Sequence, residues 1–475
     1  MGGQYAGAIN ILSKSYLTID GGTNGIIQNT ANGFALANQQ ASQGIYITKS
    51  DYIEIKNLTI KNIYANGGSD PYSQDTGGYS TANIYLTSNN NNILIHNNIL
   101  NSARTGIRVD FDPGIIDTIK IYNNYISDHG WGIMIGSGSN GSISTNISIH
   151  NNEITGWLNW QCPALTPSSH FCKLPGGGDQ TADVYHTDGI ILYTVAGSIF
   201  TPLIYNNYIH GDLGGGSPTS FIYPTTATNA KIFNNLLVQE GTRSTWMLNG
   251  SPLSSEIYNN TLIGWSGNDS NAIMVGGIGN RIKNNIIVNA GNAIASYSNL
   301  GSMISESDYN IWYNIHGGGS GTRFSFNDGT QYYNWASWQG LGYDTHSITA
   351  NPILDNSFHL QPLSPAISVG ANLTNVGINA LEFDKDGTPR PQGSAWDIGA
   401  YEYVGGGVVT PPVILPPIIP PTPTIGDFNN DGIVNSIDLS LMVTAWNTNN
   451  ATYDLNKDGR VNSLDYVIMV RNWTV

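Results

Sequence analysis

The sequence ILIHNNIL at residues 93–100 recurs as IKIYNNYI at 119–126 and as ISIHNNEI at 147–154. Later copies and one weaker upstream copy are PLIYNNYI at 202–209, AKIFNNLL at 230–237, SEIYNNTL at 255–262, NRIKNNII at 280–287 and IEIKNLTI at 53–60. The first asparagine of each complete pair falls at 97, 123, 151, 206, 234, 259 and 284, in steps of 26, 28, 55, 28, 25 and 25. A motif that returns at a nearly fixed period indicates a repeat architecture, and the step of 55 indicates one repeat plus an insertion.

A second short apolar segment precedes each asparagine motif. Its copies are GIYIT at 44–48, NIYLT at 83–87, GIRVD at 106–110, GIMIG at 132–136, GIILY at 189–193, AIMVG at 272–276 and AIASY at 293–297. Both segment types alternate with a period of two, as strands with one buried face do. Asparagine suits the turns between them because it tolerates a left-handed backbone, and stacked asparagines form amide ladders. Since one coil cannot bury its inner face alone, the pattern predicts an all-β solenoid of stacked coils.

Composition excludes several classes of protein. The 475 residues carry 18 Lys and Arg against 33 Asp and Glu, a net charge of −15, so we expect no nucleic-acid partner. No apolar run approaches ~20 residues, which predicts no transmembrane segment. The opening MGGQYAGAINIL has neither a basic start nor a long apolar stretch, so it does not read as a signal peptide.

The repeats resemble those of right-handed parallel β-helix proteins of the pectate-lyase-like superfamily. The later segments ISESDYNIWYN at 304–314, WQGLGYDTHSITANPIL at 338–354, FHLQPLSPAISVG at 358–370 and FDKDGTPRPQGSAWDIGAYEY at 383–403 resemble the C-terminal part of secreted bacterial β-helix proteins. The resemblance implies a β-helix with its C-terminal cap over residues 1–404. It implies no single reaction, because the superfamily contains lyases, hydrolases, epimerases and non-catalytic adhesins.

A proline-rich segment follows the predicted solenoid. The stretch GGGVVTPPVILPPIIPPTPT at 405–424 has seven prolines in twenty residues. Such a composition favours an extended, semi-rigid spacer, and we place a linker at 405–425.

The last fifty residues contain a duplicated acidic loop. Asp427, Asn429, Asp431, Gly432, Asn435 and Asp438 recur 27 residues later as Asp454, Asn456, Asp458, Gly459, Asn462 and Asp465. This spacing places oxygen ligands at positions 1, 3, 5, 9 and 12 of an EF-hand-like calcium loop, and the carbonyls of Ile433 and Arg460 fill position 7. An apolar helical stretch follows each loop.

The paired loops resemble a type I dockerin, the module that binds cohesin. The resemblance implies a dockerin at 426–475 with two Ca²⁺ ions and a cohesin-bearing scaffold or surface as partner. Positions 10 and 11 contact the partner in that family, and here they are Ser436-Ile437 and Ser463-Leu464. The protein is therefore expected outside the cell or at its surface.

Three consecutive coils concentrate polar side chains at the start of the second segment type. We align His129 and His186 three residues before the shared glycine, Trp131 and Asp188 one residue before it, and Arg104, Arg108 and Asp110 on the preceding coil. Rows of outward side chains on neighbouring coils lie close together, so we expect a catalytic set there. That set is Arg108, Asp110, His129, His186 and Asp188, with Arg104 and Trp131 as substrate-binding residues.

The insertion enters between the second and third of these coils, from about Trp157 to Asp183. It carries Trp157, Trp160 and Lys173, which we expect to bind substrate as one wall of a groove, although both tryptophans could instead pack the loop. It also carries Cys162 and Cys172. We expect a disulfide between them, because they are the only two cysteines, in one loop of an apparently exported protein.

Two classes of function remain open. A polysaccharide-degrading enzyme could act by elimination, with Arg104 or Arg108 neutralising a uronate and His129, His186 or Lys173 as the base. It could instead act by hydrolysis, with Asp110 and Asp188 as acid and base. A further Ca²⁺ in the groove would help either mechanism to hold a polyanion. The alternative is a non-catalytic surface, adhesive or self-assembling β-helix.

Overall fold

A single sheet of parallel strands makes up most of the molecule. The computed structural model describes residues 7–32, 42–63, 81–110, 115–137, 143–157, 187–194, 198–213, 220–225, 227–241, 246–249, 253–267, 270–315, 322–405, 426, 428, 434 and 436–473. In these ranges the sheet has 29 strands, and every named pair is parallel except the last, β28 with β29.

The first fifteen strands are β1 (Gly7–Leu12), β2 (Ser15–Gln28), β3 (Gln43–Thr48), β4 (Asp51–Lys61), β5 (Ala82–Thr87), β6 (Asn91–His96), β7 (Ile99–Asp110), β8 (Ile115–Tyr122), β9 (Tyr125–Ser137), β10 (Ile143–His150), β11 (Glu153–Thr155), β12 (Asp188–Thr194), β13 (Ser198–Phe200), β14 (Leu203–Tyr205) and β15 (Tyr208–Gly211). The remaining strands are β16 (Ser220–Tyr223), β17 (Ala227–Phe233), β18 (Leu236–Gln239), β19 (Trp246–Asn249), β20 (Leu253–Tyr258), β21 (Thr261–Ile263), β22 (Asn271–Met274), β23 (Asn280–Lys283), β24 (Ile286–Ala290), β25 (Asn292–Ala295), β26 (Ile304–Asp308), β27 (Ile311–Ile315), β28 (Arg323–Phe326) and β29 (Gln331–Asn334). Helix α1 spans Trp335–Gln339, and two 3₁₀ turns span Thr374–Val376 and Asn379–Glu382.

Each coil contributes three strand segments. Segment A is the GIRVD type, segment B leads into the asparagine pair and segment C follows the pair. Equivalent isoleucines pair from coil to coil, as Ile53 with Ile93 and Ile93 with Ile119. These side chains are fully buried in one continuous core. The predicted parallel β-helix solenoid is confirmed.

The second asparagine of each pair forms a buried ladder. Asn124 Nδ2 donates to Asn152 Oδ1 at 3.0 Å and to the carbonyls of Ile95 and Tyr122. Its Oδ1 accepts from both nitrogens of Asn98. The same pattern continues from Asn152 through Asn207, Asn235, Asn260, Asn285 and Asn310. The ladder satisfies the backbone groups of the turns, which fixes the register between coils.

Loss of one ladder amide is expected to destabilise the solenoid. Asn124→Ala leaves buried donors and acceptors of both adjacent coils without partners, at a cost of about 2–3 kcal/mol in the free energy of unfolding. Asn123 is the matched control, because it is exposed and has a left-handed φ of 54° that glycine also adopts. Urea unfolding should show Asn124→Ala well below wild type and Asn123→Gly close to it; equal midpoints would contradict the ladder's role.

The segment 371–399 packs along the outside of three coils. In these coils, the first asparagine of the pair donates a hydrogen bond to the backbone of the segment. Asn234 Nδ2 donates to the Phe383 carbonyl at 2.7 Å, and Asn284 Nδ2 donates to the Ala371 carbonyl at 2.8 Å. Asn259 Nδ2 donates to the carbonyl of Asp397 at 3.0 Å. All three asparagines are fully buried. The asparagines of the turns therefore hold the segment 371–399 against the solenoid, although it is distant from them in sequence.

The C-terminal residues form a separate small helical unit. The chain divides into two compact units, Met1–Pro412 and Val413–Val475. In the second, α2 (Ser436–Thr444) and α3 (Ser463–Arg471) pack around Val434, Met442, Ala445, Val461 and Met469. None of the helices in the described ranges is long and apolar enough to cross a membrane.

Candidate functional site

The strand register brings the predicted polar residues of segment A onto neighbouring coils. Trp131 pairs with Thr105 on one side and with Asp188 on the other. Ile107, Ile133 and Ile190 share one row, which is the alignment expected from the sequence. His186, Trp160, Lys173, Cys162 and Cys172 lie outside the described residues, so their roles and the disulfide remain predictions.

Arg108 and Asp110 face outward and bind each other. Arg108 Nη2 lies 2.8 Å from Asp110 Oδ2, and the two side chains are 16% and 25% exposed. The Tyr85 hydroxyl donates to the same oxygen at 2.7 Å, and the Arg108 guanidinium lies over the Tyr85 ring. Burial, and then the charge of Asp110, raise the pKa of Tyr85. The positive charge of Arg108 is therefore already compensated within the protein.

Arg104 and His129 do not point outward as expected. Both are buried, and the Arg104 guanidinium lies 4.0 Å from the centre of the Trp131 ring. A side chain at Gly130 would overlap Arg104 Nη1, so this glycine makes room for the guanidinium. His129 Nε2 lies 2.6 Å from Asn83 Oδ1. Burial, and then the charge of Arg104, lower the pKa of His129 to about 3. His129 is thus a neutral interior residue rather than an outward base.

Asp188 and Trp157 are also interior residues. Asp188 is buried, and its Oδ1 accepts from the Ser220 backbone nitrogen at 3.0 Å. Trp157 is 2% exposed and belongs to the solenoid core. The expectation that Trp157 binds substrate is therefore wrong, and the structure shows the alternative, in which it packs against the solenoid. Trp131 is half-buried.

The register separates Asp110 from Asp188. Asp188 lies on the row of Thr105, two coils away, whereas Asp110 stands five residues beyond Thr105 on its strand. Five residues correspond to about 16 Å along a strand. A glycosidase pair needs carboxylates roughly 5–9.5 Å apart. The predicted convergence of Asp110 and Asp188 in one patch is therefore wrong, and the described polar residues form two groups at opposite ends of segment A.

A cluster on segment C was missed by the sequence analysis. His210 Nε2 lies 3.2 Å from Glu153 Oε1, and its Nδ1 lies 2.9 Å from Glu240 Oε1. Tyr208 stacks on the ring at 4.1 Å. Burial lowers the pKa of His210, but the hydrogen bonds to Glu153 and Glu240 outweigh this effect, so the pKa is raised overall. Both ring nitrogens of His210 contact a carboxylate, so the ring joins three coils and has no nitrogen left to act as a base. Outward alternation in segment C, applied as it was in segment A, could have found these residues.

A column of stacked rings runs along segment B. His96, Tyr122, His150, Tyr205 and Phe233 stack in sequence with centroids 4.6–5.1 Å apart. Burial is the main cause that lowers the pKa of His150 to about 4. We assign the column a structural role rather than a binding role, because the face of each ring is covered by the next ring.

Acid is expected to destabilise the solenoid through His150. Its folded pKa lies below the unfolded value of about 6.5, so its contribution is complete above that pH and is lost as the pH falls towards 4. His150→Phe keeps a ring in the column, as Phe233 does, and should flatten the decline of unfolding free energy between pH 6.5 and 4. The control is His346→Phe, since His346 is 60% exposed. Identical pH profiles for wild type and His150→Phe would contradict this assignment.

The second acidic loop of the C-terminal unit gathers its predicted ligands. Asp458 Oδ2 accepts from Asn456 Nδ2 at 2.8 Å and from Asn462 Nδ2 at 3.3 Å, so positions 3, 5 and 9 converge. The buried Asp465 at position 12 accepts from the backbone nitrogens of Asn456 and Asn462. Gly459 has φ +91° at the sharp turn.

The donor set of this loop fits Ca²⁺. Asp454, Asn456, Asp458, Asn462 and Asp465 would hold the ion with the carbonyl of Arg460, and all of these donors are the oxygen atoms that Ca²⁺ prefers. In the first loop Asp438 is buried, whereas Asp427, Asn429, Asp431, Ile433 and Asn435 lie outside the described residues. Within the described ranges, no group of three or more His, Cys, Asp or Glu side chains is placed to hold a further ion.

Comparison with known proteins identifies the C-terminal unit. Residues 425–472 match the family model of the dockerin type I domain. Type I dockerins bind calcium and cohesins, and dockerin proteins are typically extracellular. A search of curated proteins finds no match for the chain. The predicted dockerin is confirmed, while membership of the pectate-lyase-like superfamily remains a prediction.

Proposed function

We propose that this protein is a polysaccharide-active β-helix protein that its dockerin attaches to a cohesin-bearing scaffold or surface. The dockerin match at 425–472 carries the proposal, since it supplies the attachment. A solenoid offers a long, regular outer face to an extended polymer, and dockerins place such faces near insoluble material.

The exposed face of α3 supports cohesin binding. Leu464, Val467 and Val470 recur every third residue of this helix and are 58%, 46% and 40% exposed. Three apolar side chains on one exposed helix stripe form an unpartnered surface. Leu464 is also position 11 of the second loop, so the stripe begins at a predicted contact with the partner.

Elimination with Arg104 or His129 has little support, because both are buried. Arg108 faces outward but is paired with Asp110, and the other predicted bases, His186 and Lys173, lie outside the described residues. Hydrolysis by the pair Asp110 and Asp188 is disfavoured by their separation. If the protein is an enzyme, Asp110 is the outward carboxylate of the predicted set that can reach a substrate.

The second candidate is a non-catalytic, carbohydrate-binding or adhesive β-helix. The observation that favours it is the burial of His129 and Asp188, because a catalytic acid or base must reach its substrate. Both candidates use the same anchored solenoid and differ in whether the bound polymer is cut.

Two measurements separate these functions. The full chain with Ca²⁺ is first tested for capture by a panel of immobilised cohesins, with Leu464→Asp expected to weaken capture and Thr452→Ala, an exposed change outside α3, as control. It is then incubated with neutral and acidic polysaccharides, and reducing ends and unsaturated products are measured. Cleavage that Asp110→Asn lowers by 10²-fold or more would establish the enzyme. Binding without products would establish the non-catalytic candidate, and capture by no cohesin would overturn the attachment.

A further inference from the structure

Four aromatic side chains gather on the later coils of the segment A face. Tyr193 and Tyr223 lie on the adjacent strands β12 and β16, Trp246 on β19, and Tyr297 just beyond β25. Trp246 and Tyr297 contact edge to face with ring centres 6.4 Å apart. Tyr193 and Tyr297 are 44% and 61% exposed, and Tyr223 and Trp246 are half-buried. We call these four residues the aromatic platform.

Tyr193 and Tyr223 lie on the outward alternation of strands β12 and β16, whereas Trp246 pairs with Ser220 in the row of Asp188 and contacts Tyr297. Tyr223 pairs with Ile191, which shares its row with Met134, Arg108, Tyr85 and Tyr46. From β12 to β25 the register crosses four strand spacings, about 19 Å at ~4.8 Å each. The platform is therefore as long as a short oligosaccharide and runs parallel to the solenoid axis.

Within the described part of segment A from β3 to β25, the outward residues carry no uncompensated positive charge. Among the described outward residues of segment A from Tyr46 to Ala295, the charged ones are Arg108 and Asp110, which pair with each other. Burial raises the pKa of Tyr223, and the nearby Asp188 raises it further, together with the phenols of Tyr297 and Tyr193. Burial and the charge of Asp328 raise the pKa of Tyr297. The charged groups that act on these two phenols are the carboxylates of Asp188 and Asp328, which would repel the carboxylates of a uronate chain.

We infer that the platform of Tyr193, Tyr223, Trp246 and Tyr297 binds a neutral polysaccharide. This inference rests on the proposed function and names the substrate class of that surface. Tyrosine and tryptophan present an apolar ring and a polar edge, and they lose little conformational entropy on binding. The ring faces cover the C–H faces of neutral sugars, while the hydroxyl and indole edges bond their hydroxyl groups. A neutral chain needs no positive charge on the protein, and the described outward residues of segment A from Tyr46 to Ala295 provide none that is unpaired.

The test is affinity electrophoresis of the full chain in gels that contain one polysaccharide each. Hydroxyethyl cellulose, xyloglucan and arabinoxylan are the neutral probes, and polygalacturonate and alginate are the acidic ones. Wild type should be retarded by at least one neutral polymer. Trp246→Ala and Tyr297→Ala should each weaken that binding about tenfold, as the loss of a central aromatic contact does.

The matched controls are Tyr16→Ala and Tyr52→Ala. These two tyrosines are exposed and stacked at 4.7 Å, but they lie on segment B strands. They should bind like wild type, and melting curves of all four variants verify folding. Unchanged neutral binding in Trp246→Ala and Tyr297→Ala would overturn the platform but keep the proposed function. Retardation by acidic polymers alone would overturn the neutral class only. Retardation by no polymer would overturn both the platform and the proposed activity on polysaccharides. The cohesin attachment would be unaffected, because the capture experiment tests it separately.

Discussion

Calcium removal is expected to abolish capture of this protein by a cohesin while leaving the solenoid folded. In the second loop, the side chains at positions 3, 5 and 9 meet around Asp458, and Asp465 closes the loop from the start of α3. Without a cation the carboxylates of Asp454, Asp458 and Asp465 repel one another, so the free energy of ion binding becomes folding free energy of the small unit. Among the described residues of the solenoid core, none belongs to a group of acidic side chains that needs a cation in order to fold.

The measurement combines cohesin capture with circular dichroism. EGTA should reduce capture to background and remove the helical signal of residues 426–475, whereas the strand signal and the melting of the β-helix should not change. Asp454→Ala, which removes a position-1 ligand, should reproduce part of the loss in Ca²⁺. The exposed Thr452→Ala should not. Full capture in EGTA would show that the unit holds its binding surface without metal.

Breaking the buried ion pair of the C-terminal segment is expected to cost about 3–5 kcal/mol in the free energy of unfolding. Arg390 Nη1 lies 2.7 Å from Glu402 Oε1, and both side chains are 0% exposed. Arg390 also bonds Asn234 Oδ1 and the Gly399 carbonyl, and Glu402 accepts from the Asp397 nitrogen. Glu402→Gln keeps the shape but leaves a buried guanidinium without its counter-charge.

The control for this change is Glu256→Gln. Glu256 pairs with Lys231 at 3.6 Å, and both side chains are partly exposed, so its loss should cost at most about 1 kcal/mol. Urea unfolding followed by tryptophan fluorescence measures both, because Trp396 is buried in the same segment. Equal effects of the two substitutions would show that the Arg390–Glu402 pair does not anchor the segment.

The architecture was predictable because its determinants are local and repeated. Each asparagine pair fixes a turn, and the ~25-residue spacing brings the next pair directly onto it, so the register of Asn124 on Asn152 follows from counting residues. The dockerin was predictable for the same reason, since two loops with identical ligand spacing need no long-range information.

The candidate site was predictable only in part. Sequence placed Trp131 beside Asp188 correctly, because both stand at the same offset from an aligned glycine. It could not show that Arg104 and His129 turn inward at that corner, where Gly130 leaves room for a guanidinium. Both residues lie within the long strands β7 and β9, each of which contains a segment C and a segment A, and alternation counted in one segment does not carry over to the other.

By itself, the sequence determined the stacked coils and the dockerin and predicted the positions of its calcium ligands, because short-range spacing dictates each of them. Tertiary structure alone decided which polar residues face solvent and which distant segments meet. Arg390 reaches Asn234 across 156 positions, and His210 meets Glu153 and Glu240 from neighbouring coils. Such contacts depend on how complete coils and the C-terminal segment pack together, which no local pattern records.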